Sequence, residues 1–191
     1  MKSALAKEHR EFYAHNHFID FEELISPEEA CTLSKNIKKT LTKRSQKDHL
    51  SSNYLAGRDL WRDDLEIKKI VFKRSFAEIA KELFKQPLIK IAFDQYQENT
   101  SLLSLAQMSC LKPIIGALAI PLGTPGKAIY FSPGSPLTFP FCEEPLLLIA
   151  YTGNKTQYTL TESDPNTHTL KKLGYSFGDH ITSETHPIII R

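Results

Sequence analysis

FAEIAKELFKQPLIKIAFDQ, residues 76–95, holds two periods on either side of one proline. Before Pro87 the spacing is helical, and residues 75–84 read as a helix capped by Ser75 with Glu78 three residues on. After Pro87 the apolar residues Ile89, Ile91 and Phe93 fall at every second position, the step of a strand with one buried face. Downstream, short apolar or alternating runs recur at 102–105, 114–122, 128–131, 146–151, 158–161, 168–170 and 187–190. Turn residues separate them: Gly123-Thr-Pro-Gly126, Pro133-Gly134, Glu143-Glu-Pro145, Gly153-Asn154 and Asp164-Pro-Asn166. Many short strands at about ten-residue spacing predict a sandwich or barrel. Upstream the signal is helical. Residues 4–13 read as a short helix and 17–21 as a strand-like run. Ser26-Pro27-Glu28-Glu29 then supplies a cap, a first-turn proline and a capping-box glutamate. That helix is expected to run to about residue 44 with Ala30, Leu33, Ile37 and Leu41 on one face. Residues 46–59 read as a loop and 63–71 as a further helix. The prediction is one α+β domain over 1–191, mainly helical to 86 and β from 87, a jelly roll braced by its N-terminal helices.

Composition fits that plan. A chain of 191 residues with 41% apolar and 24% charged residues has the balance of a globular domain. The longest apolar runs, 114–122 and 145–151, are strand-sized and fall short of the roughly 18 residues that cross a bilayer. MKSALAKEHREF at the start lacks the apolar core of a signal peptide. Cys31, Cys110 and Cys142 are odd in number and lack CxxC spacing, which suits a reducing compartment, so a cytoplasmic, non-membrane protein is expected. Residues 1–90 carry a net +4 and 91–191 a net −2, too even a split to announce a nucleic-acid binder.

No complete catalytic motif stands out. Gly134-Ser135-Pro136 is not a nucleophile elbow, and Cys110 and Cys142 lie in strand-like runs where a cysteine is a small hydrophobe. Gly123-Thr-Pro-Gly126-Lys127 is too short for a P-loop and reads as a hairpin turn. His15 and His17 read as polar groups on a strand rather than ligands, and Asp179 as a turn residue after Gly178. His168, Asp179, His180 and His186 gather late in the chain without ligand spacing. The basic run of residues 35–47, with Lys35, Lys38, Lys39, Lys43 and Lys47, reads first as a solvated helix face and second as a contact for nucleic acid or an acidic partner. A helix-turn-helix over 63–84 lacks a distinctive connector.

Several fragments in order resemble the phytanoyl-CoA dioxygenase family of iron and 2-oxoglutarate-dependent oxygenases. They are FYAHNHFIDFEELISPEEA at 12–30, FAEIAKEL at 76–83 with PLIKIAFDQ at 87–95, GKAIYFSPGS at 126–135 and YSFGD at 175–179. The resemblance implies a double-stranded β-helix, a cupin-like barrel, holding Fe(II) with an HxD pair and a later His. Residues i and i+2 share a strand face, so both side chains of such a pair reach one ion. The pair should lie between Gln97 and Ile115, where no histidine occurs; the polar pair there is Gln107-Met-Ser109. His180 and His186 are both candidates for the late His, and the 2-oxoglutarate-binding Arg maps to Arg191, only five residues beyond His186. The family's PGSH turn ends here in Pro136. The expectation is therefore a degenerate member of that family, a binding or regulatory protein for an unknown protein or small-molecule ligand, with no cofactor and no enzyme activity. If a metal site exists, its candidates are His186, His180 and Asp179. One alternative is an active oxygenase using Fe(II) and 2-oxoglutarate with displaced ligands. The other is a divalent-cation-linked regulator that binds DNA through residues 35–47.

Overall fold

A computed structural model describes residues 5–48, 52–98, 104–133, 135 and 144–191. In chain order it contains α1 (Lys7–Asn16), β1 (Phe18–Phe21), α2 (Pro27–Asp48), α3 (Asn53–Ala56), α4 (Leu65–Val71), α5 (Arg74–Leu83), β2 (Ile89–Gln97), β3 (Leu111–Pro121), β4 (Ala128–Phe131), β5 (Leu146–Tyr158) and β6 (Ile188–Ile190). Single 3₁₀ turns lie at Leu60–Arg62 and Thr169–Leu173. The strands form one antiparallel sheet in the order β1-β4-β3-β5-β2-β6, curled and braced by helices as expected. Strand β1 comes from the helical part of the chain and pairs with β4, Phe18 opposite Phe131.

Local chemistry sets most boundaries. The capping box at the head of α2 forms in both directions: the Ser26 amide donates to Glu29 Oε2 at 2.9 Å and the Glu29 amide to Ser26 Oγ at 3.1 Å. Asp64 caps α4 by accepting from the Glu66 and Ile67 amides. Four readings of the sequence are corrected. Helix α2 runs to Asp48, past residue 44, and the loop beyond it contains the short α3. Helix α5 begins at Arg74, with Lys73 rather than Ser75 at the cap position and no side-chain cap bond. Gly153-Asn154 is no turn but part of a bulge inside β5, where the register jumps from Lys112 opposite Gln157 to Ile114 opposite Thr152. Residues 168–170 enter a 3₁₀ turn instead of a strand. The predicted run at 102–105 lies largely outside the described residues, as do Gly134, Pro136 and Cys142.

The sheet is buried on both faces. Toward the helices, Ile89, Ile91, Tyr96, Leu118, Ile120, Tyr130, Ile149 and Tyr151 pack with Leu33, Ile37, Phe76 and Ile79. On the other, inner face, Phe93, Ile114, Ala117, Leu148 and Tyr158 meet Leu105, Met108, Leu170, Tyr175 and Ile181 from the irregular segments that cross it. A bulge between Ile91 and Phe93 moves Phe93 to the inner face, away from its predicted partners Ile89 and Ile91. The extra residue inverts the alternation from that point on.

Candidate functional site

Two polar clusters stand on the inner face, where the pleat of β2 directs Lys90, Gln95 and Gln97. The first is a buried ion pair. The segment after α3 runs beside β2, the Tyr96 amide donating to the Gly57 carbonyl at 2.8 Å. That pairing carries Arg58 over the Phe93 ring, 3.9 Å from its centroid. Its guanidinium donates to Asp164 Oδ1 at 3.2 Å and to the Met108 carbonyl at 2.9 Å. Asp164 also accepts from the Asn166 amide at 2.9 Å and, on Oδ2, from the Cys110 amide at 3.1 Å. The Asp164-Pro-Asn166 turn read in the sequence is thus also the counter-charge of the inner face. Cys110 is a buried thiol pushed up to about 12, first by burial and then by the Asp164 charge, and so is no nucleophile.

The second cluster surrounds His186. This residue is 1% exposed, and its Nδ1 lies 3.0 Å from Thr185 Oγ1 while Nε2 has no partner. Burial, then the charges of Arg62 and Lys90, pull its pKa down to about 3, so the ring is neutral. Tyr175 meets the imidazole edge-on with centroids 5.9 Å apart. Its hydroxyl accepts from the Thr182 amide at 2.9 Å and bonds Thr185 Oγ1. Burial opposes ionisation of Tyr175, yet the hydrogen bonds of Thr182 and Thr185 and the charge of Lys90 together hold it below the ordinary phenol value. Lys90 is 4% exposed and forms no ion pair among the described residues. Burial lowers its pKa; the Tyr175 charge works against that and the Arg191 charge adds to it.

The other sequence candidates fall apart in space. His180 is exposed, bridged to Gln157 with Nε2 3.2 Å from Gln157 Nε2. Asp179 caps its own turn by accepting from the Ser176 amide at 2.7 Å, as its turn reading predicts. Both share with Tyr175, Thr182 and Thr185 an open cleft of about 400 Å³. His168 is exposed beside Phe177, and His15 and His17 are exposed at the end of α1, away from the late cluster. Arg191 is exposed, but its charge reaches Lys90. The lysines at 35, 38, 39, 43 and 47 line the exposed side of α2 without ion pairs among the described residues. Helix α5 buries Phe76, Ala77, Ile79, Ala80 and Leu83, so it is no free recognition helix. Sequence reasoning missed Lys90, Tyr175 and the Arg58–Asp164 pair. Lys90 had a legible signal, a lone charge between Ile89 and Ile91 and hence on the opposite strand face.

Iron can be weighed against these donors. The unpartnered Nε2 of a neutral His186 suits one ligand bond. Among the described residues, however, no three His, Cys, Asp or Glu side chains gather as a metal site, and the charges acting on His186 are the cations Arg62 and Lys90.

No family model matches the chain, and no curated protein matches it in sequence. Solved structures do. CT296 from Chlamydia trachomatis is 17% identical with a TM-score of 0.59, over 80% of this chain and 98% of that one. The epimerase SnoN, in complex with Fe3+, alpha-ketoglutarate and nogalamycin RO, is 12% identical with a TM-score of 0.67 over 96% and 98%. CytC3 with Fe(II) and alpha-ketoglutarate is 15% identical with a TM-score of 0.62 over 97% and 88%. The chain therefore has the fold of the 2-oxoglutarate-dependent oxygenases. At these identities the likeness is one of fold alone.

Proposed function

We propose that this protein uses the oxygenase fold for binding or regulation without iron chemistry, as a degenerate relative of the phytanoyl-CoA dioxygenase type. The observation that carries the reading is the surroundings of His186. In a two-His-one-carboxylate site two neutral imidazoles ligate the ion and the carboxylate offsets part of its charge. Here the groups nearest in charge are Lys90 and Arg62, which repel a divalent cation. The Arg58–Asp164 pair supports it further. It occupies the inner face with a polar network in which Arg58 is paired to the chain's own Asp164 and the Met108 carbonyl. The ligand sits, on this reading, at the rim of the inner face around Lys90 and Tyr175.

A second reading, an oxygenase with displaced ligands, draws on the unpartnered Nε2 of His186. One titration separates the two. Metal-stripped protein is titrated anaerobically with Fe(II), with and without 2-oxoglutarate, and followed by visible absorbance. The expected result is no charge-transfer band and no tight iron. A band that requires both additions, and disappears in His186→Ala, would establish the oxygenase and sink the binding-protein reading.

A further inference from the structure

We propose that the outward face of α2 is a docking surface for double-stranded nucleic acid, gripped by its phosphate backbone without regard to sequence. Helix α2 packs Leu33 and Ile37 against the helix-facing side of the sheet, so this surface looks away from the inner face. The inference therefore goes beyond the reading above and does not depend on it.

The charge on this face is uncompensated. Lys35, Lys38, Lys39, Lys43 and Lys47 are all exposed, and none forms an ion pair or hydrogen bond among the described residues. No Asp or Glu occurs from residue 30 to residue 47. On the other helices exposed cations are answered by acids one turn away: Lys7 by Glu11, Lys69 by Glu66 and Arg74 by Glu78. On α2 the one-turn neighbours of Lys39 are Lys35 and Lys43, and Lys47 follows Lys43, like charges that weaken a helix. Nearby charges are already engaged. Glu29 takes Lys73, and Asp63 takes Arg44, whose guanidinium turns inward to three carbonyls. Glu28 is exposed at the helix head, two turns before Lys35.

The pattern favours a phosphate backbone over other polyanions. Lys35, Lys39, Lys43 and Lys47 follow one ridge, oblique to the axis, over about 18 Å. Each step of about 6 Å is close to the separation of successive phosphates along a strand. Beside the lysines stand Thr32, Thr42 and Gln46, exposed neutral donors of the kind that contact phosphate oxygens. Ala30, Leu33, Ile37 and Leu41 are all buried, so a protein partner finds no apolar or aromatic anchor, and lysine is depleted from such interfaces. A bilayer gains no apolar insertion, and its flat headgroup plane meets only part of a row that winds around the helix. The face also lacks exposed aromatics to stack single-stranded bases and exposed arginine to grip guanine. Backbone contact with a duplex is what these side chains can make.

The test is fluorescence anisotropy of mixed-sequence DNA and RNA duplexes of about 20 base pairs, two helical turns, over a salt series. At least one duplex is expected to bind with a Kd on the order of 10–100 μM near physiological salt, and log K to fall with log salt at a slope of about −4. Binding of one duplex type alone assigns the source of the phosphates and supports the proposal. The pair Lys39→Gln, Lys43→Gln keeps helix propensity and is expected to bind at least fivefold more weakly at low salt, with a slope flatter by about 2. The control pair Lys155→Gln, Lys172→Gln removes the same charge from exposed positions elsewhere and is expected to leave affinity unchanged. Cys31, exposed one turn before Lys35 on the same row, is expected to be alkylated more slowly under saturating duplex. No duplex binding at low salt, equal losses in the two pairs, or unchanged Cys31 labelling overturns the proposal. Tighter binding to phosphatidylserine-containing vesicles or to polyglutamate overturns it too, and assigns the face to a membrane or an acidic protein.

Discussion

Asp94 is fully buried on the helix-facing side of β2, where its carboxylate accepts the amides of Leu60 at 2.9 Å and Trp61 at 3.1 Å. Burial first, then the charge of Asp59, push its pKa up to about 7 despite those bonds and the nearby Arg44. A carboxyl whose folded pKa lies above its unfolded value binds its proton more tightly when folded. Its contribution to stability is whole below the unfolded value and is lost as pH rises through about 7. His186 has the opposite sign, its folded pKa of about 3 lying below the unfolded one, so its share is lost as pH falls below the ordinary histidine range. The two slopes oppose each other in mildly acidic solution, and a single wild-type curve hides both. Asp94→Asn separates them. Relative to wild type, the variant is expected to gain stability by on the order of 3 kcal/mol between pH 5 and pH 8, measured as the difference in urea unfolding free energies. An unchanged difference across that range would show that Asp94 does not titrate there. The residue was visible in the sequence, but its burial was not. Alternation counted from Ile89 and Ile91 puts Phe93 toward the helices, and only the bulge between Ile91 and Phe93 turns Asp94 inward to them.

At the scale of elements, helix and sheet dock through one aromatic ring. Phe84, just past α5, lies 5.9 Å from Tyr13 of α1, 6.2 Å from Tyr130 of β4 and 6.1 Å from Tyr151 of β5, centroid to centroid. It fits because β3 carries Gly116 beneath it; a Cβ there would stand 2.4 Å from the ring. Gly116→Ala is expected to cost about 1–3 kcal/mol, because the ring must leave a packed position. The companion Gly153→Ala, with open space around its Cβ site, is expected to cost less than half as much. Equal losses in thermal melts of the two would refute the ring's role. Elements with local causes were legible: the Ser26–Glu29 box, the strand at 128–131 and the change of period at Pro87 all stand where the sequence places them. Those decided by distant contacts were not. Arg44 reaches from α2 to the carbonyls of Ala56, Arg58 and Asp59 and to Asp63, fixing a segment that composition alone presents as a polar loop. Gly153-Asn154 has turn composition, yet the neighbouring β3 holds it in a bulged strand.

At the scale of the whole molecule, the same contrast separates fold from site. The architecture depends on periodicity summed over many residues, which one sequence displays, whereas the site depends on which few side chains meet, as Arg58 and Asp164 do from distant parts of the chain. The halves read as helical and β in the sequence share their cores. One apolar cluster contains Leu33, Ile37, Ile67 and Phe76 from the helices together with Leu118, Tyr130 and Ile149 from the sheet. Strand β1 pairs into the sheet from the helical side, and the Gly57 carbonyl takes the Tyr96 amide. Among the described residues no surface therefore divides the chain into parts that bury their own cores, and a single cooperative transition is the expected behaviour. Two natural reporters test it. Trp61, the single tryptophan, lies in the helical part, and Cys110 is enclosed beneath the inner face of the sheet. In a Cys31→Ser, Cys142→Ser background, urea unfolding followed by Trp61 fluorescence and by thiol labelling of Cys110 is expected to give coincident midpoints. Earlier labelling of Cys110 than loss of the Trp61 signal would mean that the irregular cover of the inner face opens by itself. The cover, with Leu105, Met108, Leu170, Tyr175 and Ile181, would then be a unit less stable than the helices, and its opening would precede the global transition.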